Sequence, residues 1–288
     1  MLASNNFTEK QTEILRLESD KHVVLAPPGS GKTELLSQRV VNALGRGIDP
    51  QTMLCITFTN RAAKNMNDRV GELKSKPPFI GTLHKFGYQF LLANQVIPAS
   101  TALLDEEDAY QILTEAVAIT KDEVNQKFAE VKLFDAANYV RDFNQALLNL
   151  QPAIDSSKRI ELLEKVAIKY NSIKQGCNAI DFDDVLYLTL HSLRFGKPKK
   201  FCGFKWVQVD EVQDLSSLQW DILGRLINDD SHVVYFGDYD QSIYSFMGAS
   251  HESLVQCTQD VTEHHLEDNF RSPQYLICLL YTSPSPRD

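Results

Sequence analysis

A β-branched run, two prolines, two glycines and then Lys-Thr at the head of an apolar-periodic segment occupy His22 to Val41, "HVVLAPPGSGKTELLSQRVV". Proline and glycine close the strand, and the apolar positions after Lys32 recur at helical spacing. A strand, a glycine loop and a helix in that order form the frame that cradles phosphate. Gly29 and Gly31 let the backbone curl so that successive N–H groups converge on phosphate oxygens, and the helix N-terminus adds its partial positive charge. Ala26, Pro27, Pro28, Gly29, Ser30, Gly31, Lys32 and Thr33 therefore make a candidate nucleotide loop. In it Lys32 is placed to reach the β- and γ-phosphates and the Thr33 hydroxyl to bind Mg²⁺. Ala26 stands where the strict pattern has glycine.

A phosphate loop demands a parallel sheet behind it, and further strand candidates supply one. "TMLCITFT", "KWVQVDE" and "HVVYFGD" read as buried strands, and "NRAAKNMNDRVGELK" as a helix. Between about Phe90 and Leu193 the texture is helical, and "EDAYQILTEAVAITKDEVNQKFAEVKLFDAANYVRDFNQALLNL" contains no glycine. Strands alternating with helices imply crossover connections and a parallel sheet, so the helical block reads as an insertion within one α/β domain. The 288 residues suffice for two such units. No apolar run reaches the length of a membrane span. Five cysteines without CxxC spacing suit reduced thiols in a cytoplasmic protein. Net charge is −9, yet residues 35 to 90 hold eight Lys/Arg against three Asp/Glu. That local basic excess marks one region for polyanion contact within an acidic chain.

Two more stretches carry chemistry. "VQVDEVQD", Val207 to Asp214, ends an apolar strand in adjacent carboxylates at the sheet edge where ligands bind. Asp210 is a candidate Mg²⁺ ligand and Glu211 a candidate general base for the attacking water. "GDYDQSIYSFMGA", Gly237 to Ala249, follows another strand and offers Gln241 as a γ-phosphate sensor. Its aromatics Tyr244 and Phe246 fit core packing and stacking on unpaired bases equally well. His264 and His265 have no metal-spaced partner and read as surface or core residues.

Seven motifs in a fixed order carry a resemblance: "NNFTEKQ", "APPGSGKT", "ITFTNRAAKNMNDRV", "GTLHKFGYQF", "VDEVQD", "GDYDQSIYSFMGA" and "LEDNFRS". Residues 5 to about 277 resemble the N-terminal half of superfamily 1A DNA helicases, the UvrD/Rep/PcrA group. "IDFDDVLYLTL" is similar to the segment that ends that family's helical insertion. The resemblance implies a RecA-like P-loop NTPase domain, 1A, from residues 1–89 and 196–277, interrupted by an all-helical subdomain, 1B, at 90–195.

It also implies roles. Gln11 would read the adenine edge, Phe270 would stack on the base, and Arg271 would reach the γ-phosphate beside Lys32, Asp210, Glu211 and Gln241. Phe58 would wedge against a base of single-stranded DNA, with Thr59, Asn60 and Arg61 on its backbone. Thr82, His84 and Phe86 would make a further strand contact, although His84 reads as well as a satisfied histidine at a helix start. ATP and Mg²⁺ are the implied cofactors, and a second RecA-like domain of the same protein the implied partner.

Two positions depart from the pattern. Glu34 replaces an arginine that would cover the adenine face, and Met247 replaces the arginine of "FRGA". The motifs of the second domain are absent, and arginine-type stabilisation of phosphoryl transfer is worth about 10³–10⁵ in rate. The expectation is therefore the ATP-binding half of a 3′→5′ DNA helicase that binds ATP–Mg²⁺ weakly, hydrolyses it slowly and does not unwind duplex. The motor of a RecB/AddA-type helicase–nuclease and a nucleic-acid-binding ATP switch are the alternatives. The eleven residues Cys278 to Asp288, "CLLYTSPSPRD", have no amphipathic period and can be spelled by the adapter of a transposase-based sequencing kit. They are expected to be adapter read-through and are set aside from fold reasoning.

Overall fold

Val23 and Val24 are fully buried in mid-strand, because β-branched side chains pack well on a pleated surface covered on both faces. The computed structural model describes residues 7–71, 77–124, 132–147, 160–238 and 261–270. Their elements begin with α1 (Glu9–Leu15), β1 (Lys21–Leu25), α2 (Lys32–Gly45), β2 (Met53–Ile56), α3 (Asn60–Val70) and β3 (Phe79–Gly81). Next come α4 (Leu83–Ala93), β4 (Ala102–Leu103), α5 (Glu106–Val124), α6 (Leu133–Leu147), α7 (Ile160–Gly176), β5 (Ala179–Ile180) and α8 (Phe182–Phe195). The chain continues with β6 (Phe204–Val209), α9 (Ser217–Leu226), β7 (Ile227–Gly237) and β8 (Thr262–His265).

Two compact units result, one from Met1–Leu83 with Gly203–Asp288 and the other from His84–Cys202. In the first, six strands pair in the order β3-β2-β6-β7-β1-β8, every pair parallel. β2 is buried along its whole length, as a central parallel strand must be. Leu35, Leu36, Val40 and Ala43 of α2 close over Val24, Cys55, Val234 and Phe236 to form the core. Helix starts are set locally. Thr59 accepts from Ala62 N at the head of α3, and Ser216 and Gln219 form a reciprocal capping box on α9.

β3 and β8 are strands that sequence texture did not single out. β8 is polar ("TEHH"): three of its four residues are exposed, and among the described residues it pairs with β1 alone. His264 is half-buried there and His265 exposed.

The second unit is contiguous in the chain and mostly helical. Leu113, Ala116 and Val117 of α5 pack with Ala136 and Val140 of α6 and with Val166, Ala167 and Tyr170 of α7. Its bounds, His84 and Cys202, lie outside the 90–195 that the resemblance implied. At the N-terminal side the reason is that α4 begins at Leu83, seven residues before the helical texture was read to start at Phe90.

Candidate nucleotide and nucleic-acid site

The phosphate loop leaves β1 anchored to the neighbouring strand, with Ala26 N donating to Gly237 O at 2.9 Å. Gly29 and Gly31 both take φ of +83°, the left-handed region where a Cβ is costly. Gly31 is also crowded: a Cβ there would lie 3.2 Å from Gln11 Nε2. Gly31 caps α2 with no side-chain hydrogen bond, which leaves the first-turn N–H groups to a ligand. Ser30 Oγ, in the same loop, is buried without a hydrogen-bond partner. Ala26 has no positive φ, which is why alanine serves where the pattern has glycine.

The carboxylates meet this loop across the sheet edge. Asp210 follows β6 directly, its N–H donating to Ile56 O at 2.9 Å. Glu211 turns into the left-handed region, φ 52° and ψ 48°, an uncommon conformation for a residue with a side chain. That turn brings its carboxylate to Lys32, whose Nζ donates to Oε1 and Oε2 at 3.0 Å each. Burial, and then the neighbouring Glu211 charge, push the Asp210 carboxyl up to about 7 while Lys32 pulls it down. Asp214 is pushed up to about 6 by the same two causes, and its Oδ1 is buried without a partner.

Three acidic groups around a single lysine are an arrangement that a divalent cation would relieve. Asp210 and Thr33, the second residue of α2, are the two residues that the sequence marks as candidate Mg²⁺ ligands. Among the described residues no three His, Cys, Asp or Glu form a metal cage.

Gln213, which received no role from sequence, bridges two strand ends. Its Nε2 donates to Glu211 Oε2 at 2.8 Å, and its Oε1 accepts from Asp238 N at 3.1 Å. Gly237 gives it room, since a Cβ there would come within 2.8 Å of Val212 Cγ2 and 2.9 Å of Gln213 Oε1. Its place within the "VDEVQD" motif, three residues after Asp210, was the signal in the sequence.

On the other side of the loop the expected base-binding residues converge. Phe270 N donates to Gly29 O at 2.7 Å, and Asn269 Nδ2 to Pro28 O at 2.8 Å. The Phe270 ring is 61% exposed, free to present a face. Gln11 is buried, and both ends of its amide are engaged. Nε2 donates to Ser30 O at 3.0 Å, and Oε1 accepts from Thr8 N at 3.0 Å in a capping box. A base edge is left only its second N–H and second lone pair. Asn269 was quoted in a motif but not foreseen as a tie to the loop.

The basic helix α3 presents Thr59, Asn60 and Arg61 exposed at its N-terminus, behind a half-buried Phe58. Glu34 forms an ion pair with Arg69 at the far end of α3. Thr82 is half-buried in the first unit. In the second, the His84 ring meets Phe182 edge-on at 5.5 Å, and burial lowers its pKa. Phe86 corrects the sequence reading: it is fully buried, stacked on Phe90 at 6.1 Å and edge-on to Phe201 at 5.9 Å. An aromatic at that depth holds its helix in place and presents no face to a base. Gln241, Tyr244, Phe246, Met247 and Arg271 lie outside the described residues, as does the 278–288 tail.

Residues 7–262 match the family model of the UvrD/REP helicase N-terminal domain. The chain belongs to this family. The α/β parallel sheet described above is the expected RecA-like helicase fold of the UvrD/REP N-terminal domain. The ATP-dependent DNA helicase PcrA of Staphylococcus epidermidis is 26% identical over 294 residues, covering 94% of this chain and 39% of that protein. PcrA of Staphylococcus aureus is 25% identical over 295 residues, with 95% and 39% covered. The chain thus spans about 39% of the length of these relatives. Among the described residues no helix is long and apolar enough to cross a membrane.

Proposed function

We propose that this chain is the ATP-binding part of a cytoplasmic DNA helicase that moves 3′→5′ along single-stranded DNA and unwinds duplex by hydrolysing ATP. The observation that supports it is the Lys32–Glu211 pair, which joins the phosphate loop to the candidate general base. An incoming γ-phosphate competes for Lys32. As the lysine transfers to it, Glu211 is released to orient and deprotonate the attacking water. Mg²⁺, held by Thr33 and Asp210, would offset charge on the phosphate oxygens. Phe270 stacks on the base, while Gln11 and Asn269 hold the loop in shape from outside. Phe58, Thr59, Asn60 and Arg61 are the strand contacts proposed for the first unit, with Thr82, His84, Tyr244 and Phe246 as further candidates. Gln241 and Arg271 remain proposed for the γ-phosphate.

A second RecA-like domain of the same protein is the proposed partner that closes over the nucleotide. Without it this chain binds nucleotide weakly and does not unwind. Single-stranded-DNA-stimulated ATPase of the intact protein, wild type against Lys32→Ala, tests the reading. Loss of hydrolysis by 10²-fold or more is the order expected for a group that stabilises transition-state charge. An unchanged rate rejects the loop assignment. The Glu34–Arg69 ion pair favours a second reading, an ATP switch, because a carboxylate so engaged cannot cover a base face as a cation would. Hydrolysis stimulated by single strands without strand displacement would select it.

A further inference from the structure

The Glu211 carboxylate is shared. Lys32 Nζ holds both its oxygens at 3.0 Å, and Gln213 Nε2 donates to Oε2 at 2.8 Å. Gln213 is only 5% exposed, and its remaining polar atom, Oε1, accepts from Asp238 N at 3.1 Å. One planar amide therefore spans the carboxylate after β6 and the first backbone N–H after β7. The amide cannot flip, because its donor faces a carboxylate and its acceptor faces an N–H. Nor can it slide toward β7, because Gly237 leaves no space on that side for even a methyl group. A rigid, doubly tied side chain between two strand ends transmits displacement well, since close-packed interiors have no slack to absorb it.

We infer that Gln213 is a positioning residue that carries the state of Lys32 and Glu211 to the backbone at Asp238. This rests on the proposal that Lys32 takes a nucleotide phosphate. When Lys32 leaves Glu211, Gln213 becomes the partner that decides where the carboxylate goes. A carboxylate that swings toward water draws the Gln213 amide with it, and Asp238 N follows through Oε1. In the other direction, a shift of Asp238, the second residue of the "GDYDQ" stretch, moves Glu211 onto or away from its catalytic position. The coupling is reciprocal, as any linkage between two sites must be.

The test uses the ¹⁵N-labelled chain titrated with Mg²⁺ and the non-hydrolysable triphosphate AMPPNP, at saturation for each variant. The Gly31 amide reports loop occupancy and the Asp238 amide reports the relay. In the wild type both resonances shift. In Gln213→Leu the Gly31 resonance still shifts while the nucleotide-induced shift at Asp238 is lost or falls at least threefold. Gln213→Glu, which keeps an acceptor for Asp238 but cannot donate to Glu211, shows the same split and serves if the leucine variant does not fold. A merely structural role would not separate the two resonances. An Asp238 shift of wild-type size in both variants overturns the inference, as does a wild-type chain whose Gly31 responds while Asp238 does not. If neither resonance of the wild type responds at any nucleotide concentration, the nucleotide site itself is wrong, and the relay falls with it.

Discussion

Lys32 and Glu211, 179 residues apart in sequence, form a two-pronged ion pair with both N–O distances at 3.0 Å. Lys32 is the first residue of α2 and Glu211 the residue after Asp210 at the end of β6, so only the parallel sheet brings them together. Each is a charged partner of the other. The pair keeps a partly buried lysine charge compensated until a ligand replaces the carboxylate.

Glu211→Gln separates binding from chemistry. The amide still accepts from Lys32 but without a charge, so Lys32 transfers to phosphate more readily. Nucleotide affinity stays equal or rises, while hydrolysis falls by about 10²–10⁴, the range for a lost general base. Equilibrium binding and single-turnover hydrolysis on the intact protein read the two effects apart. Equal losses in both would remove Glu211 from the catalytic role.

Gly237→Ala loses stability through contact alone, since Gly237 has no positive φ. The new methyl would lie 2.8 Å from Val212 Cγ2 and 2.9 Å from Gln213 Oε1, neither of them a loose chain end. Overpacking of this kind costs about 1–3 kcal/mol. Denaturant titration of the chain measures it, and a change within error would mean that the two strand ends have slack.

Lys174→Met strands two carboxylates in the helical unit. Lys174 is 3% exposed, bonds Asp181 Oδ2 at 2.7 Å and pairs with Asp184, while Tyr170 also donates to Asp181. Removing one member of a buried ion network costs about 3–5 kcal/mol, far above the loss of one exposed salt bridge. Denaturation followed by the fluorescence of Tyr170 and its neighbours gives the value. A loss under about 1 kcal/mol would show that the carboxylates take up protons or water at little expense.

Acid weakens the sheet through His232. Burial and then the Arg39 guanidinium, which donates to Nε2 at 3.0 Å, hold its pKa down at about 4. The unfolded chain binds this proton near pH 6.5, so the stability tied to neutral His232 is present above about 6.5 and is lost as pH falls toward the folded value. The slope reaches about 1.4 kcal/mol per pH unit for one proton. Melting curves between pH 7 and pH 5 show this slope in the wild type and a flatter one in His232→Gln. Identical slopes would mean that other groups carry the acid sensitivity.

The glycine turn between β1 and α2, the strand-end carboxylates and the parallel α/β class were all legible in the chain. Each is a local pattern whose chemistry follows from residue type and spacing: glycines for positive φ, Lys-Thr at a helix start, acids at the end of an apolar run. The polar edge strand β8 was not legible, because its four residues pair with β1 through backbone groups that leave no hydrophobic signature. Phe86 and Gln11 show a second limit. Sequence gives an aromatic or an amide near a site, but burial decides which atoms remain to meet a ligand. Gln213 shows a third, since its role depends on two strand ends separated by α9. What the sequence determined by itself was the set of reactive groups. Their pairing, Lys32 to Glu211 and Glu211 through Gln213 to Asp238, was decided by tertiary structure, because hydrogen bonds act over about 3 Å and only the folded sheet brings distant residues that close.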